Sequence, residues 1–360
     1  MVASPVAERK GLLPGLRTAV LALLTLGRSY RKFDWRTGED ERHSARSPDG
    51  WNLGLYRYRP RSAPKPCPVV CGHGLAGSRL VYDLHPDFSL ARFLAERGFD
   101  TWLLDFRGRQ ASWPDGGPDP TLQWCFDDFV RRDFPAAVAR VCEVTSAREL
   151  FWVGLEISGQ TLYAAAIEGR APNVRGAVTL GAPLVTPETA RVPGVTAPPK
   201  TRRGARVPYR SGARLAGPVL AYAGARVLES SFRPENADPL VVARYFRNGV
   251  PDEATDLVDQ VASWIRSGRM ADRKGRVVYS DRASEIRLPL LFLVGAHDLQ
   301  RPPESVRSAW EAVGSRDKTL VVAGKEHGFG FDFGHDDLVA GLRAPTEIFP
   351  RIAEWLERRS

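Results

Sequence analysis

The 360-residue chain has only four cysteines, Cys67, Cys71, Cys125 and Cys142. They are too few and too scattered to form a disulfide scaffold in a chain of this length. Cys71 lies in the apolar run Pro68-Val69-Val70-Cys71-Gly72, where a thiol behaves as a small hydrophobe, so a reducing cytoplasm is the expected setting. Histidine and cysteine nowhere cluster at metal-ligand spacing, and neither metal nor cofactor is expected. Long apolar runs are also missing. Pro14, Gly15 and Arg17 interrupt the segment Leu12–Leu26, and the clean stretch Thr18–Gly27 is about half of what a membrane span requires. The following Gly27-Arg28-Ser29-Tyr30-Arg31 lacks the small-residue cleavage site of a signal peptide. The expectation is a short helix that packs on the body or makes a peripheral contact with a membrane surface. Zinc-finger spacing and aromatic RNA-binding motifs are absent too. This argues against nucleic acid as a partner even though Lys and Arg outnumber Asp and Glu by 51 to 42, a net +9 supplied mostly by arginine. Such a balance can favour anionic surfaces or acidic substrates; an arginine-rich proteome with solvated arginines gives the same number.

What is present is the alternation of an α/β protein. Asp49-Gly50 is a turn signal, and Trp51 to Arg59 alternates as an early antiparallel strand. Short apolar strands are expected at Pro68–Gly72, Thr101–Leu104, Glu149–Gly154, Val174–Leu180, Leu288–Val294 and Thr319–Val322. Helices are expected at Phe88–Arg97, Asp127–Val144, Ser158–Ile167 and Pro345–Arg358, the last with Ile348, Ile352 and Trp355/Leu356 aligned. Strands alternating with helices imply a mostly parallel sheet covered on both faces, with its chemistry in the loops at one strand edge. Between Gly181 and Ile286 this rhythm stops. A Pro- and Arg-rich stretch (Pro193–Arg214) is followed by helix-like segments at Val219–Leu228, Leu240–Phe246 and Leu257–Ile265. An insertion of this kind reads as a lid. The division is therefore a helical extension over 1–48, a core over 49–183 and 286–360, and a lid over 184–285.

Three loop motifs stand out. The strand Leu150-Phe151-Trp152-Val153 runs into Gly154-Leu155-Glu156-Ile157-Ser158-Gly159, after which a helix begins. This is the strand–turn–helix elbow usually written Gly-x-Ser-x-Gly, whose flanks must be small because the apex backbone is strained. Gly154 and Ser158 meet that need, and Glu156 is the apex. Taking Ser158 as the apex would put Glu156 and Gln160 at the crowded flanks and lose the turn. The second motif is His73-Gly74-Leu75 at a strand end. In the third, Leu291-Phe292-Leu293-Val294-Gly295-Ala296-His297-Asp298 places an acid just beyond a late strand. A histidine should follow the last strand, and His327 and His335 compete for the role. The segment Gly334-His335-Asp336-Asp337-Leu338 favours His335, while His327 lies closer to the strand end.

These motifs, with Asp49-Gly50-Trp51, Tyr56-Arg57-Tyr58, Gly98-Phe99-Asp100-Thr101-Trp102 and Arg107-Gly108, resemble α/β-hydrolase-fold acid lipases and lipase-like esterases. Polyhydroxyalkanoate synthases are more distantly similar. The resemblance runs from about Asp49 to the end of the chain and is weakest in the lid. It implies ester hydrolysis on a small apolar or acyl-type substrate, with Asp298 and His335 as triad partners and the amides of Leu75 and Ile157 as oxyanion donors. His73 carries a structural role. The chain departs from the family at its central residue, because Glu156 stands where serine belongs. A carboxylate attacking an acyl carbon would form an energetic anhydride; against saturated carbon, carboxylates serve better. Three readings stand. Glu156 is a working nucleophile or general base on an ester, lactone or epoxide; or the protein is an inactive binding or regulatory relative; or Ser158 serves an ordinary esterase.

Overall fold

The computed structural model describes residues 30–119, 121–192, 195, 206–223 and 228–360. Its centre is an eight-stranded sheet in the order β1-β2-β4-β3-β5-β6-β9-β10. The strands are β1 (Glu41–Arg46), β2 (Asn52–Tyr58), β3 (Val69–Gly72), β4 (Thr101–Asp105), β5 (Leu150–Leu155), β6 (Val174–Leu180), β9 (Leu290–Gly295) and β10 (Lys318–Ala323). A separate two-stranded ribbon pairs β7 (Arg206–Val207) with β8 (Glu253–Ala254). The strands β1, β2 and β4 pair antiparallel, and all other neighbours in the large sheet are parallel.

The parallel strands read as continuous apolar runs because both faces are covered. Their side chains alternate between two cores. Val70, Trp102, Leu104 and Trp152 join one, and Val69, Cys71, Leu103, Phe151 and Val153 join the other. The second core is closed by α1 (Leu90–Glu96), through Leu90 and Leu94. The first is closed by α2 (Phe134–Thr145) and α3 (Ile157–Ile167), through Phe134, Val141, Leu162 and Tyr163. A turn of α-helix (Phe126–Asp128) and a π-helical turn (Phe129–Asp133) lead into α2, so the expected long helix exists with a bulge in it.

Between β6 and β9 run α4 (Tyr209–Ala223), α5 (Pro239–Arg244) with a π-helical turn (Tyr245–Gly249), and α6 (Thr255–Ser267). The chain closes with α7 (Pro303–Ala312), the short α8 (Asp337–Ala340) and α9 (Phe349–Glu357). Through Ile352, Trp355 and Leu356, α9 joins α1 on the second core.

Two differences from expectation have physical reasons. The extension 1–48 is not helical throughout: Glu41–Arg46 is an edge strand in register with β2. Its sequence, ERHSAR, puts polar groups on a half-solvated ribbon and carries no apolar alternation. The helix expected at residues 12–27 lies outside the described residues. In the insertion, α4 begins ten residues before the expected Val219, because Gly212, Gly217 and Pro218 disguise a helix that buries Gly217, Pro218 and Ala221. The ribbon β7–β8, at two residues per strand, leaves no period to read.

Among the described residues no helix is long and apolar enough to cross a membrane. Nor do three or more His, Cys, Asp or Glu gather there as metal ligands.

Candidate active site

At the end of β5 the chain reverses into α3 through Glu156, which has φ 49° and ψ −112°. A non-glycine residue in that region is strained, and such strain persists only where the surroundings impose it. They do so here. A Cβ on Gly154 would come within 2.6 Å of the Gly159 amide nitrogen, so the flank must be glycine. Ser158, the other small flank, is fully buried, and its Oγ has no hydrogen-bond partner. That hydroxyl packs against Gly72 of β3, where a methyl group would overlap it. It does not line the cavity described below, whereas Glu156 does.

The Glu156 side chain is 5% exposed, and each carboxylate oxygen has a partner. Oε2 accepts from the Leu75 amide at 2.6 Å. Oε1 is ion-paired with the Arg301 guanidinium, itself 1% exposed. The Ile157 amide makes no hydrogen bond to this carboxylate, so one of the two expected backbone donors engages it. Burial opposes the charge, but Arg301, His335 and the Leu75 amide together hold the Glu156 carboxyl below its usual range.

His335 lies beyond β10, and its Nδ1 donates to Asp298 Oδ2 at 2.7 Å. Asp298 Oδ1 accepts from the amides of Gln300 (2.9 Å) and Arg301 (2.7 Å), which fixes the carboxylate that fixes the ring. Gly181 closes the back of this pair. A Cβ there would come within 3.0 Å of His335 Cε1 and 3.1 Å of Asp298 Oδ2, and its φ of +53° also favours glycine. Burial pulls the His335 pKa down, but Asp298, Asp336 and Glu156 outweigh it and raise the value to about 9. Burial, helped by Glu156 and Asp298, pushes Asp336 up to about 6 against the pull of His335. No ion pair joins Glu156 to His335; the carboxylate's cationic partner is Arg301.

The competing histidine, His327, is exposed on the turn Lys325–His327 and lines a surface groove with Trp310 and Lys318, away from Asp298. His73 is fully buried. Its Nε2 accepts from the Phe106 amide (3.2 Å), which leaves Nδ1 to donate to the Gly74 carbonyl (2.9 Å). Burial and the nearby Arg109 hold its pKa well below the ordinary histidine value, so the ring is neutral. Gly74 borders the cavity at the Glu156 carboxylate.

Glu156, His335, Asp336 and Gln300 share a cavity of about 490 Å³. Leu155, Val81, Leu220, Leu228 and Phe246 make its walls, and one face of α4 (Gly212, Ala213, Ala216 and Gly217) lines it with small side chains. Arg301, Tyr245 and Asp336 were not readable as site residues from the sequence. The only local signal for Arg301 is its place three residues after Asp298, where its amide closes the aspartate turn.

This strand order, with an elbow after β5, an acid after β9 and a histidine after β10, defines the α/β-hydrolase superfamily. The serine aminopeptidase (S33) family model matches residues 68–332, well over half of the chain, and the chain belongs to that family. It is 34% identical over 128 residues to Lipase member K of Homo sapiens, a match covering 32% of this chain and 31% of that protein. The chain thus spans about a third of the length of the curated relatives it matches. The monoacylglycerol lipase of Paleococcus ferrophilus has the same fold, with a TM-score of 0.54 and 20% identity over 85% of this chain and 99% of its own. An esterase from Rhodococcus sp. is similar in the same way, with a TM-score of 0.53 and 16% identity over 89% and 99% of the two chains.

Proposed function

We propose that this protein is an esterase- or lipase-like hydrolase that cleaves an apolar ester or lactone by attack of water. Glu156 is the general base, His335 the general acid and Asp298 the group that orients the imidazole. One relationship carries this reading: Glu156, its carboxyl held below the usual range, and His335, its imidazole held above it, border the same apolar cavity. A serine relay needs a neutral imidazole to accept the nucleophile's proton. With a pKa of about 9, His335 is protonated at neutral pH and suited to donating instead.

In the proposed step, Glu156 removes a proton from water as its oxygen bonds to the acyl carbon. His335, held through Nδ1 by Asp298, gives its Nε2 proton to the leaving alkoxide as the acyl C–O bond breaks. The products are a carboxylic acid and an alcohol, and the proton on Glu156 returns to the imidazole through water. No anhydride forms, which removes the chief objection to a carboxylate at this apex. The helices between β6 and β9 act as the lid, with α4 over the acyl chain. The apolar walls suit an acyl-type substrate, in keeping with the lipase names of the relatives. A reducing cytoplasm goes with the four unpaired cysteines.

A second reading is favoured by the Arg301 ion pair, because a carboxylate held on both oxygens is a weaker base. It makes the protein an acyl-binding relative without turnover. The test is a panel of apolar esters, lactones and epoxides offered to the wild type and to Glu156→Gln. The hydrolase reading expects kcat/KM on at least one substrate to fall about 100-fold or more in the variant. If the wild type nowhere exceeds Glu156→Gln, the hydrolase reading fails. Saturable uptake of a fluorescent fatty-acyl probe would then mark the binding protein.

A further inference from the structure

Beneath the loop that bears Leu75, a second buried charge cluster joins three distant parts of the chain. Arg109, from the loop after β4, and Glu253, from β8, are both fully buried and form an ion pair at 2.5 Å. Glu253 Oε1 also accepts from Trp124 Nε1 at 2.9 Å, and its Oε2 accepts from the Ala76 amide at 3.3 Å. Arg109 donates from Nε to the Gly77 carbonyl (3.2 Å) and from Nη1 to the Arg107 carbonyl (2.8 Å). Both ions therefore clasp the turn at residues 74–77, which the Gly77 amide closes on the Gly74 carbonyl at 3.1 Å.

A buried ion pair by itself adds little net stability, because desolvation offsets the attraction. What this one supplies is geometry. Ala76 sits at φ +50°, a left-handed conformation that is strained for an alanine and needs outside support. Its amide is the one held by Glu253. The amide just before it, Leu75 N–H, meets the Glu156 carboxylate.

We propose that Glu253 is a positioning residue: from the segment between β6 and β9, and together with Arg109, it fixes the turn that aims the Leu75 amide at Glu156. The inference rests on the reading that this turn serves the hydrolytic site. The β8 end is tied to the core through the Arg109–Glu253 pair.

The test uses the full-length chain and its Glu253→Gln variant, which keeps the shape and removes the charge. Amide hydrogen exchange is followed in peptides covering residues 73–82 and 255–267, with thermal unfolding and steady-state kinetics alongside. The expected result is exchange about tenfold faster at residues 75–77, with α6 unchanged. On any substrate the wild type turns over, kcat should fall about tenfold at nearly constant KM. Stranding the buried Arg109 charge lowers the melting temperature under either role; a merely structural role would loosen α6 and the turn together. Unchanged exchange at 75–77, or equal loosening of both peptides, overturns the proposal. The exchange readout needs no turnover, so the proposal and the hydrolase reading can fail separately. Should Glu253→Gln not fold, Glu253→Asp, which withdraws the charge by one methylene, is read by the same criteria.

Discussion

Arg301 is ion-paired with Oε1 of Glu156, which lines the cavity, both side chains are almost wholly buried, and the Arg301 amide grips the aspartate that holds His335. One residue thus joins the apex of the elbow to the acid–imidazole pair. Removing one partner of such an ion pair strands the other charge in a low-dielectric interior. Arg301→Met is therefore expected to cost roughly 3–5 kcal/mol, measured by urea denaturation. Arg301→Met combined with Glu156→Gln should recover most of that loss. Equal stability of the single variant and the wild type would show that the pair does not hold the carboxylate.

The His335 pKa of about 9 also makes a statement about stability. The group is raised above its unfolded value of about 6.5. Its contribution is fully present below that value and disappears as pH rises through about 9, because the native state there binds a proton that the unfolded chain has released. The wild type should lose stability between pH 6.5 and 9, by something on the order of 3 kcal/mol. His335→Gln should show a flatter profile across the same window. Denaturation midpoints at four or five pH values decide it; parallel profiles would mean that His335 is not protonated in the folded protein.

The parts of this site legible in the sequence were those under local constraint. The elbow shows because Gly154 and Ser158 must be small wherever a strand reverses into a helix, and Asp298 shows because it follows an unmistakable apolar strand. Arg301 was not legible, since nothing near it says which loop it will reach across; the parallel sheet brings the ends of β5 and β9 together. For the same reason nothing local in the sequence marks Glu253, although it is fully buried. Edge strand β1 escaped because a ribbon bordered by solvent on one side needs no apolar run, and α4 was misplaced because the small residues that line the cavity weaken its helical signal.

Ser158 gives a direct negative test. Its hydroxyl is buried against Gly72 without a partner, and burying an unpaired hydroxyl is unfavourable. Ser158→Ala should leave turnover within about twofold of the wild type and keep or raise stability by up to about 1 kcal/mol. Loss of most activity with the fold intact would restore Ser158 as a nucleophile and displace Glu156.

The sharpest contrast comes from replacing the apex residue. In Glu156→Ser the Leu75 amide is freed from the carboxylate it now holds, and His335 loses one of the three carboxylates that raise its pKa. The imidazole can then be neutral in mildly alkaline solution and take the serine proton, with Asp298 keeping its tautomer. Backbone donors at such a site contribute about 10²–10³-fold. Short p-nitrophenyl esters have a leaving group that needs no protonation, so the acid function of His335 gives the wild type little advantage on them. Glu156→Ser should exceed the wild type on these esters by roughly tenfold or more. The pH trends should also oppose each other. Wild-type turnover of alkyl esters should fall as pH rises through about 9, where His335 loses the proton it must donate. Turnover by Glu156→Ser should climb over the alkaline range until its imidazole is fully neutral. If the two proteins show the same pH trend, His335 plays the same role in both, and the division of acid and base proposed for the wild type is wrong.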